Sequence, residues 1–160
     1  MKIYYITGAD GTGKSTLANK IAEETKGSVI HSTFDRDWDI ESYHKDVILA
    51  AKILSKYTPV VLDRWAVDEY IYGKVFRGGE SYDTSTFIGE HMNDITFIYC
   101  TNNYVLENHE INKQKRKEMF SSMKDIKAEY DKYILETPGL NWHIFDFYKT
   151  TTEKFLKEIL

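Results

Sequence analysis

Two patterns of apolar and polar positions alternate along this chain. Short apolar runs, such as Val60–Leu62 and Ile95–Tyr99, are typical of strands in a sheet that is covered on both faces. They predict five strands, at Lys2–Thr7, Ser28–Ser32, Val60–Asp63, Ile95–Cys100 and His143–Phe147. After each strand, apolar residues recur at helical spacing. This spacing predicts six helices, at Lys14–Thr25, Ile40–Lys56, Trp65–Phe76, about Thr84–Met92, about Ile111–Glu136 and Thr151–Leu160.

Strands that alternate with helices predict an α/β fold with a parallel, doubly wound sheet and right-handed crossovers. A length of 160 residues suits one domain, residues 1–160, with a core of its own. The carboxyl ends of parallel strands meet at one edge of the sheet, and ligands bind beyond that edge. The segments that follow the strands are therefore the candidates for function.

A complete phosphate-binding loop follows the first predicted strand: Gly8-Ala9-Asp10-Gly11-Thr12-Gly13-Lys14-Ser15. A loop between a buried strand and the start of a helix directs its backbone N–H groups at one point, where a polyphosphate binds. Lys14 can reach the β- and γ-phosphates, and the Ser15 hydroxyl can bind Mg²⁺. We therefore predict a site for ATP and Mg²⁺ that is formed by Gly8, Ala9, Asp10, Gly11, Thr12, Gly13, Lys14, Ser15 and Thr16.

Composition limits the partners of this site. The net charge of −4 argues against a long nucleic-acid groove, because such surfaces carry a basic excess. No apolar stretch is long enough to cross a membrane, and the single cysteine, Cys100, cannot form an internal disulfide. We therefore expect a reduced, soluble, cytoplasmic protein whose partners are small nucleotides, with neither nucleic acid nor membrane among them.

Only four of the 21 Lys and Arg side chains are arginines. Each lies in a segment that could face the edge of the sheet where the carboxyl ends of the strands meet. Arginine suits bidentate phosphate contact, so we predict that these four bind anions: Arg36, Arg64, Arg77 and Arg116. Arg64 is the strongest candidate because it directly follows a buried strand. Its neighbour Asp63 ends that strand, where a carboxylate can hold Mg²⁺ directly or through water.

The residues leave two classes of acceptor for the phosphoryl group: the phosphate of a nucleotide and the hydroxyl of a sugar. An acceptor phosphate arrives ionised and needs no base, but it needs a second cluster of cations, which Arg36, Arg64 and Arg77 would supply. A sugar hydroxyl instead needs a carboxylate base near the end of the second strand, where Asp35 lies. In either case Phe34 can stack on the acceptor base.

The loop Gly8–Ser15 together with Asp63-Arg64-Trp65 resembles the thymidylate kinase family of deoxynucleoside monophosphate kinases. The resemblance implies a P-loop NTPase fold with strand order 2-3-1-4-5, transfer of the γ-phosphoryl of ATP to a deoxynucleoside monophosphate, and a homodimer. The family carries an acidic residue at the third loop position, where Asp10 stands. This implies that Asp10 hydrogen-bonds the 3′-hydroxyl of the acceptor.

The resemblance continues beyond the Asp-Arg-aromatic triplet. Tyr72 keeps a tyrosine of the family, and Tyr72–Gly79 is similar to short, phage-type and bacterial relatives. Arg77 is accordingly expected as a second contact to the acceptor phosphate, and Trp65 and Tyr72 are expected beside the acceptor. Asp68 replaces a serine of the family, and Ile71 replaces an alanine.

Two further departures concern the base and the lid. The segment 31–36 differs from the arginine-glutamate-proline-glycine-like stretch of thymidylate kinases, so the preferred base does not carry over. Family members that lack an arginine at the loop position of Gly11 supply it from the lid. We therefore place a short lid at about residues 101–117, where Lys113, Lys115, Arg116 and Lys117 cluster. Arg116 is expected to stabilise the transferring phosphoryl group.

Two alternatives to a nucleotide kinase remain. A deoxynucleoside kinase would phosphorylate a sugar 5′-hydroxyl and use Asp35 as its base. A nucleotide-dependent binding module would bind ATP tightly with negligible turnover of small molecules. Turnover with monophosphates, with nucleosides or with neither separates the three functions.

Overall fold

A computed structural model of the protein describes residues 2–35, 37–102 and 113–160. In the last of these ranges, side chains are described from residue 123 onward. Within these residues the strands are β1 (Ile3–Thr7), β2 (Ser28–His31), β3 (Val60–Asp63), β4 (Ile95–Cys100) and β5 (His143–Phe145). The α-helices are α1 (Lys14–Thr25), α2 (Ile40–Leu54), α3 (Ala66–Arg77), α4 (Thr84–Gly89), α5 (Lys113–Glu136) and α6 (Thr152–Ile159). None of these helices combines the length and the hydropathy that crossing a membrane requires.

The strands form one parallel sheet in the order β2-β3-β1-β4-β5. The predicted α/β fold and its strand order are therefore confirmed. β1 is central, since Ile3 pairs with Val60 on one side and with Ile95 on the other. The parallel arrangement brings the loop after β1 and the residues after β2 and β3 to the same edge of the sheet.

Helices cover both faces of the sheet. Because successive residues of a strand point to opposite faces, each strand contributes side chains to two cores. On one face Tyr5 and Phe97 pack with Trp65 and with side chains of α2, α3 and α5. On the other face Tyr4 packs with side chains of α1 and α6. Cys100 is fully buried there, and burial raises the pKa of its thiol to about 12. It therefore packs as a small apolar side chain.

The bounds of several elements differ from the predictions at their carboxyl ends. β5 ends at Phe145 because the chain turns there, with the Asp146 carboxylate accepting the N–H of Tyr148 at 3.1 Å. The helix predicted to reach Met92 ends at Gly89 and is followed by a short 3-10 helix, Met92–Asp94. The positions before Lys113, where the long helix was predicted to begin, lie outside the described residues.

Candidate functional site

The phosphate-binding loop runs from the end of β1 to the start of α1. Gly8 leaves the strand with a φ of 141°, and a Cβ there would overlap the carbonyl oxygen of Cys100 in β4. Only glycine allows this close approach. Within the described residues, no side chain caps the first turn of α1, which begins at Lys14. The first N–H groups of α1 therefore have no side-chain cap among the described residues, which suits them to bind a phosphate.

The side chain of Lys14, the first residue of α1, reaches back into the loop. Its Nζ donates to the carbonyl oxygen of Ala9 at 2.8 Å, lies 3.7 Å from Oδ1 of Asp10, and is almost fully buried. Burial lowers the pKa of Lys14, and the positive charge of Arg64 lowers it further. The Thr12 hydroxyl donates to the same Ala9 oxygen at 2.7 Å. The loop surrounds a cavity of about 200 Å³, the loop cavity, which is lined by Asp10, Gly11, Gly13, Lys14, Ser15, Thr16 and Arg64.

The two predicted metal ligands contact each other. The Ser15 hydroxyl donates to Oδ2 of Asp63 at 2.8 Å, and Nδ1 of His31 lies 2.9 Å from the same oxygen. Oδ1 of Asp63 is buried and has no hydrogen-bond partner among the described residues. A hard carboxylate oxygen with unused lone pairs, next to a serine hydroxyl and a phosphate loop, suits Mg²⁺. The residues present therefore fit the expected metal ion.

Arg64 links the loop to a second, larger cavity. Its φ of 73° lies in the left-handed region, and its N–H donates to the carbonyl oxygen of Ile6 at 3.1 Å. The guanidinium forms an ion pair with Asp10 and lies 5.8 Å from the centre of the Tyr72 ring. Burial disfavours its charge, but the carboxylates of Asp10 and Asp68 outweigh burial and raise the pKa of Arg64. Of the described residues, Arg64 alone lines both cavities.

The larger cavity has a volume of about 1320 Å³ and opens beyond the ends of β2 and β3. We call it the acceptor-side cavity. Phe34, Tyr72 and Arg77, all predicted to bind the acceptor, line it together with Arg64 and Asp35. Its volume exceeds that of a typical small-ligand pocket, ~300–1,000 Å³, so it is large enough for a nucleotide.

Arg77 is already paired within the acceptor-side cavity. Its Nη2 lies 2.8 Å from both carboxylate oxygens of Glu69, a side chain that is only 3% exposed. Its Nη1 donates to the Ser81 hydroxyl at 3.1 Å, and its guanidinium carbon lies 4.7 Å from the centre of the Phe34 ring. The predicted second phosphate contact is therefore in the cavity, but a buried carboxylate compensates its charge.

Trp65 contributes only to the wall of this cavity. Its side chain is 1% exposed, its indole N–H donates to the carbonyl oxygen of His44 at 3.0 Å, and its ring packs against Tyr5 and Phe87. A ring so enclosed presents no face on which a base could stack. Trp65 therefore lies beside the acceptor-side cavity, as expected, but as a buried side chain of its wall that offers no exposed ring face to a base.

Several predicted residues lie outside the part of the chain that the structure describes. Arg36 is one of them, and so are residues 103–112 of the predicted lid. The helix α5 covers residues 113–117, but the side chains there, Arg116 among them, are also outside the described residues. The lid and the role of Arg116 stay predictions.

Three buried polar residues that had no predicted role at the site also line the acceptor-side cavity: His44, Asp68 and Glu69. His44 hydrogen-bonds the hydroxyl of Tyr82 at 2.6 Å, and burial lowers its pKa from 6.5 to about 4 although the nearby carboxylates oppose the shift. Asp68 is the third residue of α3, and its carboxylate accepts the N–H of Trp65, the residue before the helix, but a tryptophan at that position is not the signature of a capping box, so no local signal marked Asp68. No local signal pairs Glu69 with Arg77.

Comparison of the sequence with protein-family models gives no match, and comparison with curated protein sequences gives none. The fold, in contrast, is similar to several solved structures. The YorR protein from Bacillus subtilis, in complex with phosphorylated GDP, has a TM-score of 0.70 and 17% identity, over 99% of this chain and 93% of that chain. Deoxyadenosine kinase from M. mycoides, with dCMP and dCDP bound, has a TM-score of 0.56 and 16% identity, over 98% and 96%. Thymidylate kinase from Candida albicans has a TM-score of 0.59 and 14% identity, over 99% and 88%.

These similarities span nearly the whole chain at low sequence identity. The protein therefore has a thymidylate kinase-like fold, shared with a deoxyadenosine kinase. One fold can serve several functions, so the activity has to be argued from the two cavities and the residues between them.

Proposed function

We propose that this protein is an ATP-dependent nucleotide kinase that phosphorylates the 5′-phosphate of a deoxynucleoside monophosphate, dTMP or another. The position of Arg64, between the loop cavity and the acceptor-side cavity, is the observation that carries the proposal. A guanidinium at that position can contact both the acceptor phosphate and the transferring group. The bond from the γ-phosphorus to the β–γ bridging oxygen breaks as a bond to an acceptor phosphate oxygen forms, giving ADP and a diphosphate.

The donor side of the proposal rests on the loop. ATP would place its β- and γ-phosphates at the loop N–H groups and at Lys14, whose Nζ already lies within the loop. Ser15 and Asp63 would hold Mg²⁺, which neutralises phosphate charge, and the unpartnered Oδ1 of Asp63 supports this assignment. For Arg116, stabilisation of the transferring group is supported by the resemblance to thymidylate kinases alone.

The acceptor side rests on cations and on volume. An ionised acceptor phosphate needs no general base, and Arg64 is a cation at the boundary of the two cavities. Phe34 is half exposed and lines the acceptor-side cavity, so it is proposed to stack on the base. Asp10 keeps its proposed contact to the 3′-hydroxyl, and its ion pair with Arg64 puts its carboxylate next to the proposed phosphate contact.

One observation favours a second candidate, a deoxynucleoside kinase. Asp35 lines the acceptor-side cavity, where a carboxylate could accept the proton of a sugar 5′-hydroxyl. Its Oδ1 also accepts the N–H of Asp37 at 3.0 Å, which orients the carboxyl group. The similarity in fold to a deoxyadenosine kinase agrees with this alternative.

The two candidates differ in the acceptor that stimulates release of ADP. The purified protein is incubated with ATP and Mg²⁺ and with each of the four deoxynucleoside monophosphates or the four deoxynucleosides, and products are identified by chromatography. We expect one or more monophosphates to be converted to diphosphates, and chelation of Mg²⁺ to abolish the conversion. A preparation of the Lys14→Ala variant controls for contaminating kinases.

Each other outcome selects a different function. Conversion of nucleosides but not monophosphates supports the deoxynucleoside kinase. Tight binding of ATP without stimulated release of ADP by any acceptor refutes both kinases and supports a nucleotide-dependent binding module.

A further inference from the structure

Asp68 is a buried carboxylate that accepts four hydrogen bonds. Oδ2 accepts the Tyr5 hydroxyl at 2.6 Å and the N–H of Trp65 at 2.9 Å, while Oδ1 accepts the Thr7 hydroxyl at 3.0 Å and the Tyr130 hydroxyl at 2.6 Å. The side chain is 7% exposed, and no cationic group of the described residues lies within ion-pair distance of it. Its oxygens are fully used by the protein, so its role is not direct contact with a ligand.

These four donors come from three parts of the proposed active site. Thr7 is the last residue of β1 before the phosphate-binding loop, and Trp65 directly follows Arg64. Tyr130 lies in α5, the helix that follows the predicted lid. Asp68 therefore connects the base of the loop, the backbone next to Arg64 and α5 through a single carboxylate.

Arg64 needs such support because its backbone has a left-handed conformation that residues with a Cβ rarely adopt. The neighbouring N–H, that of Trp65, is held by Asp68 within the first turn of α3. The negative charge of Asp68 also acts on the cations at the site, since it raises the pKa of Arg64 and opposes the lowering of the pKa of Lys14. The hydrogen bond to the Trp65 N–H holds the backbone next to Arg64, and the negative charge of Asp68 attracts its guanidinium, so both favour an Arg64 side chain at the boundary between the cavities.

We propose that Asp68 is a positioning residue that holds Arg64 in the conformation that binds the acceptor, through its hydrogen bond to the Trp65 N–H and through its charge. The inference rests on the proposed function, in which Arg64 binds the acceptor phosphate. It assigns a role to a position at which thymidylate kinases carry a serine and this chain carries a buried anion.

A double-mutant cycle on acceptor binding tests the proposal. Binding of the deoxynucleoside monophosphate that the wild type phosphorylates best is measured by calorimetry for the wild type, Asp68→Asn, Arg64→Ala and the double variant. We expect Asp68→Asn to raise the Kd about tenfold in the wild-type background and less than twofold in the Arg64→Ala background, because its effect passes through Arg64. An equal loss in both backgrounds overturns the proposal.

Tyr130→Phe and Tyr5→Phe are the matched controls for a structural role. Each removes one hydroxyl from Asp68 but leaves its charge and its bond to the Trp65 N–H, so the Kd for the acceptor should stay within about twofold of wild type even where the melting temperature falls. A loss of acceptor affinity equal to that of Asp68→Asn in these variants would show that packing around the carboxylate, not Arg64, is responsible.

The same cycle tells apart three outcomes: a variant that does not fold, a wrong role for Arg64 and a wrong role for Asp68. If Asp68→Asn does not fold, Asp68→Ser replaces it in the same cycle, because the serine hydroxyl can still accept a hydrogen bond, and the same non-additivity is expected. If Arg64→Ala by itself leaves the Kd unchanged, the proposed role of Arg64 is wrong, whatever Asp68 does.

Discussion

The loop cavity and the acceptor-side cavity adjoin at Arg64 but are built in different ways. The loop cavity is lined by residues of one short segment, 10–16, and, among the residues that the structure describes, by Arg64 alone from elsewhere in the chain. The acceptor-side cavity collects residues from the end of β2, from α2 and from α3. A local motif thus suffices for the first cavity, whereas the second exists only once distant segments have packed together.

The cations of the two cavities also have different partners. Lys14 donates to a backbone carbonyl oxygen, a neutral group, although Asp10 lies 3.7 Å away. Arg77 is paired with both oxygens of the buried carboxylate of Glu69. A phosphate that enters the loop therefore meets a lysine whose carboxylate neighbour, Asp10, is 3.7 Å away and exposed, while a phosphate near Arg77 meets a guanidinium that both oxygens of a buried carboxylate already contact. Arg64, which pairs with the exposed carboxylate of Asp10, and Arg77, which pairs with the buried carboxylate of Glu69, are consequently not equivalent anion sites.

The largest effect should follow from removing Lys14. We expect Lys14→Ala to lower kcat by about a hundredfold to a thousandfold with little change in the KM for the acceptor, because its charge is needed most as the phosphoryl group transfers. Steady-state kinetics with varied acceptor measures both constants. Lys20→Ala is the matched control, since Lys20 lies on the same helix and pairs with Glu23 on the surface. A change confined to the acceptor KM would contradict the division between the cavities.

Replacement of Arg64 and of Arg77 should have smaller effects than replacement of Lys14, and the two effects on the acceptor KM should differ. We expect Arg64→Ala to raise the KM for the acceptor about tenfold to a hundredfold, because a charge-assisted contact to the acceptor phosphate is lost. Arg77→Ala should raise it less than tenfold, because the buried carboxylate of Glu69 compensates the Arg77 charge, whereas the carboxylate that pairs with Arg64, that of Asp10, is exposed and screened by water. The two variants are compared in the same acceptor titration. Equal losses would show that Arg77 exchanges Glu69 for the acceptor phosphate on binding.

The smallest effect on activity, and a clear one on stability, should come from His44 on the acceptor side. Its pKa is lowered by burial from 6.5 to about 4, so between these values the unfolded chain binds a proton that the folded protein excludes. Stability from this residue is therefore present above pH 6.5 and is lost as the pH falls towards 4, by about 2 kcal/mol between pH 6.5 and 5. Urea unfolding at pH 7.5 and pH 5 measures the loss, which should shrink in His44→Gln. Parallel losses in both proteins would rule out this origin.

The contrast between the cavities also explains which residues the sequence could predict. Strands β3 and β4 and helix α1 have the predicted bounds, because apolar runs and the loop motif encode them locally. Asp63 and Ser15 were predicted to lie together, and the Ser15 hydroxyl is 2.8 Å from Oδ2 of Asp63, because the ends of β1 and β3 meet at one edge of the sheet. This proximity needed only the order of the elements, while the metal ion that the two residues were predicted to share stays a prediction.

Predictions that depended on side-chain partners were less complete. Trp65 was expected beside the acceptor and does line its cavity, but it does so from within the core, because its indole N–H donates to a carbonyl oxygen in α2, a helix distant in sequence. Arg77 was expected at the acceptor phosphate, and its pairing with Glu69 across two turns of α3 has no counterpart among the usual spacings of helical ion pairs. Such pairs appear only when the loop after the helix folds back and buries them.

The order of strands and helices, the phosphate-binding loop and the position of Arg64 at the end of a buried strand follow from the sequence alone, because each depends on residues close together in the chain. The tertiary structure decided which charges face each other. Asp68 accepts hydrogen bonds from β1, from the Trp65 N–H just before α3 and from α5, and Glu69 pairs with Arg77, because a buried carboxylate is stable only where packing brings enough hydrogen-bond donors to replace water.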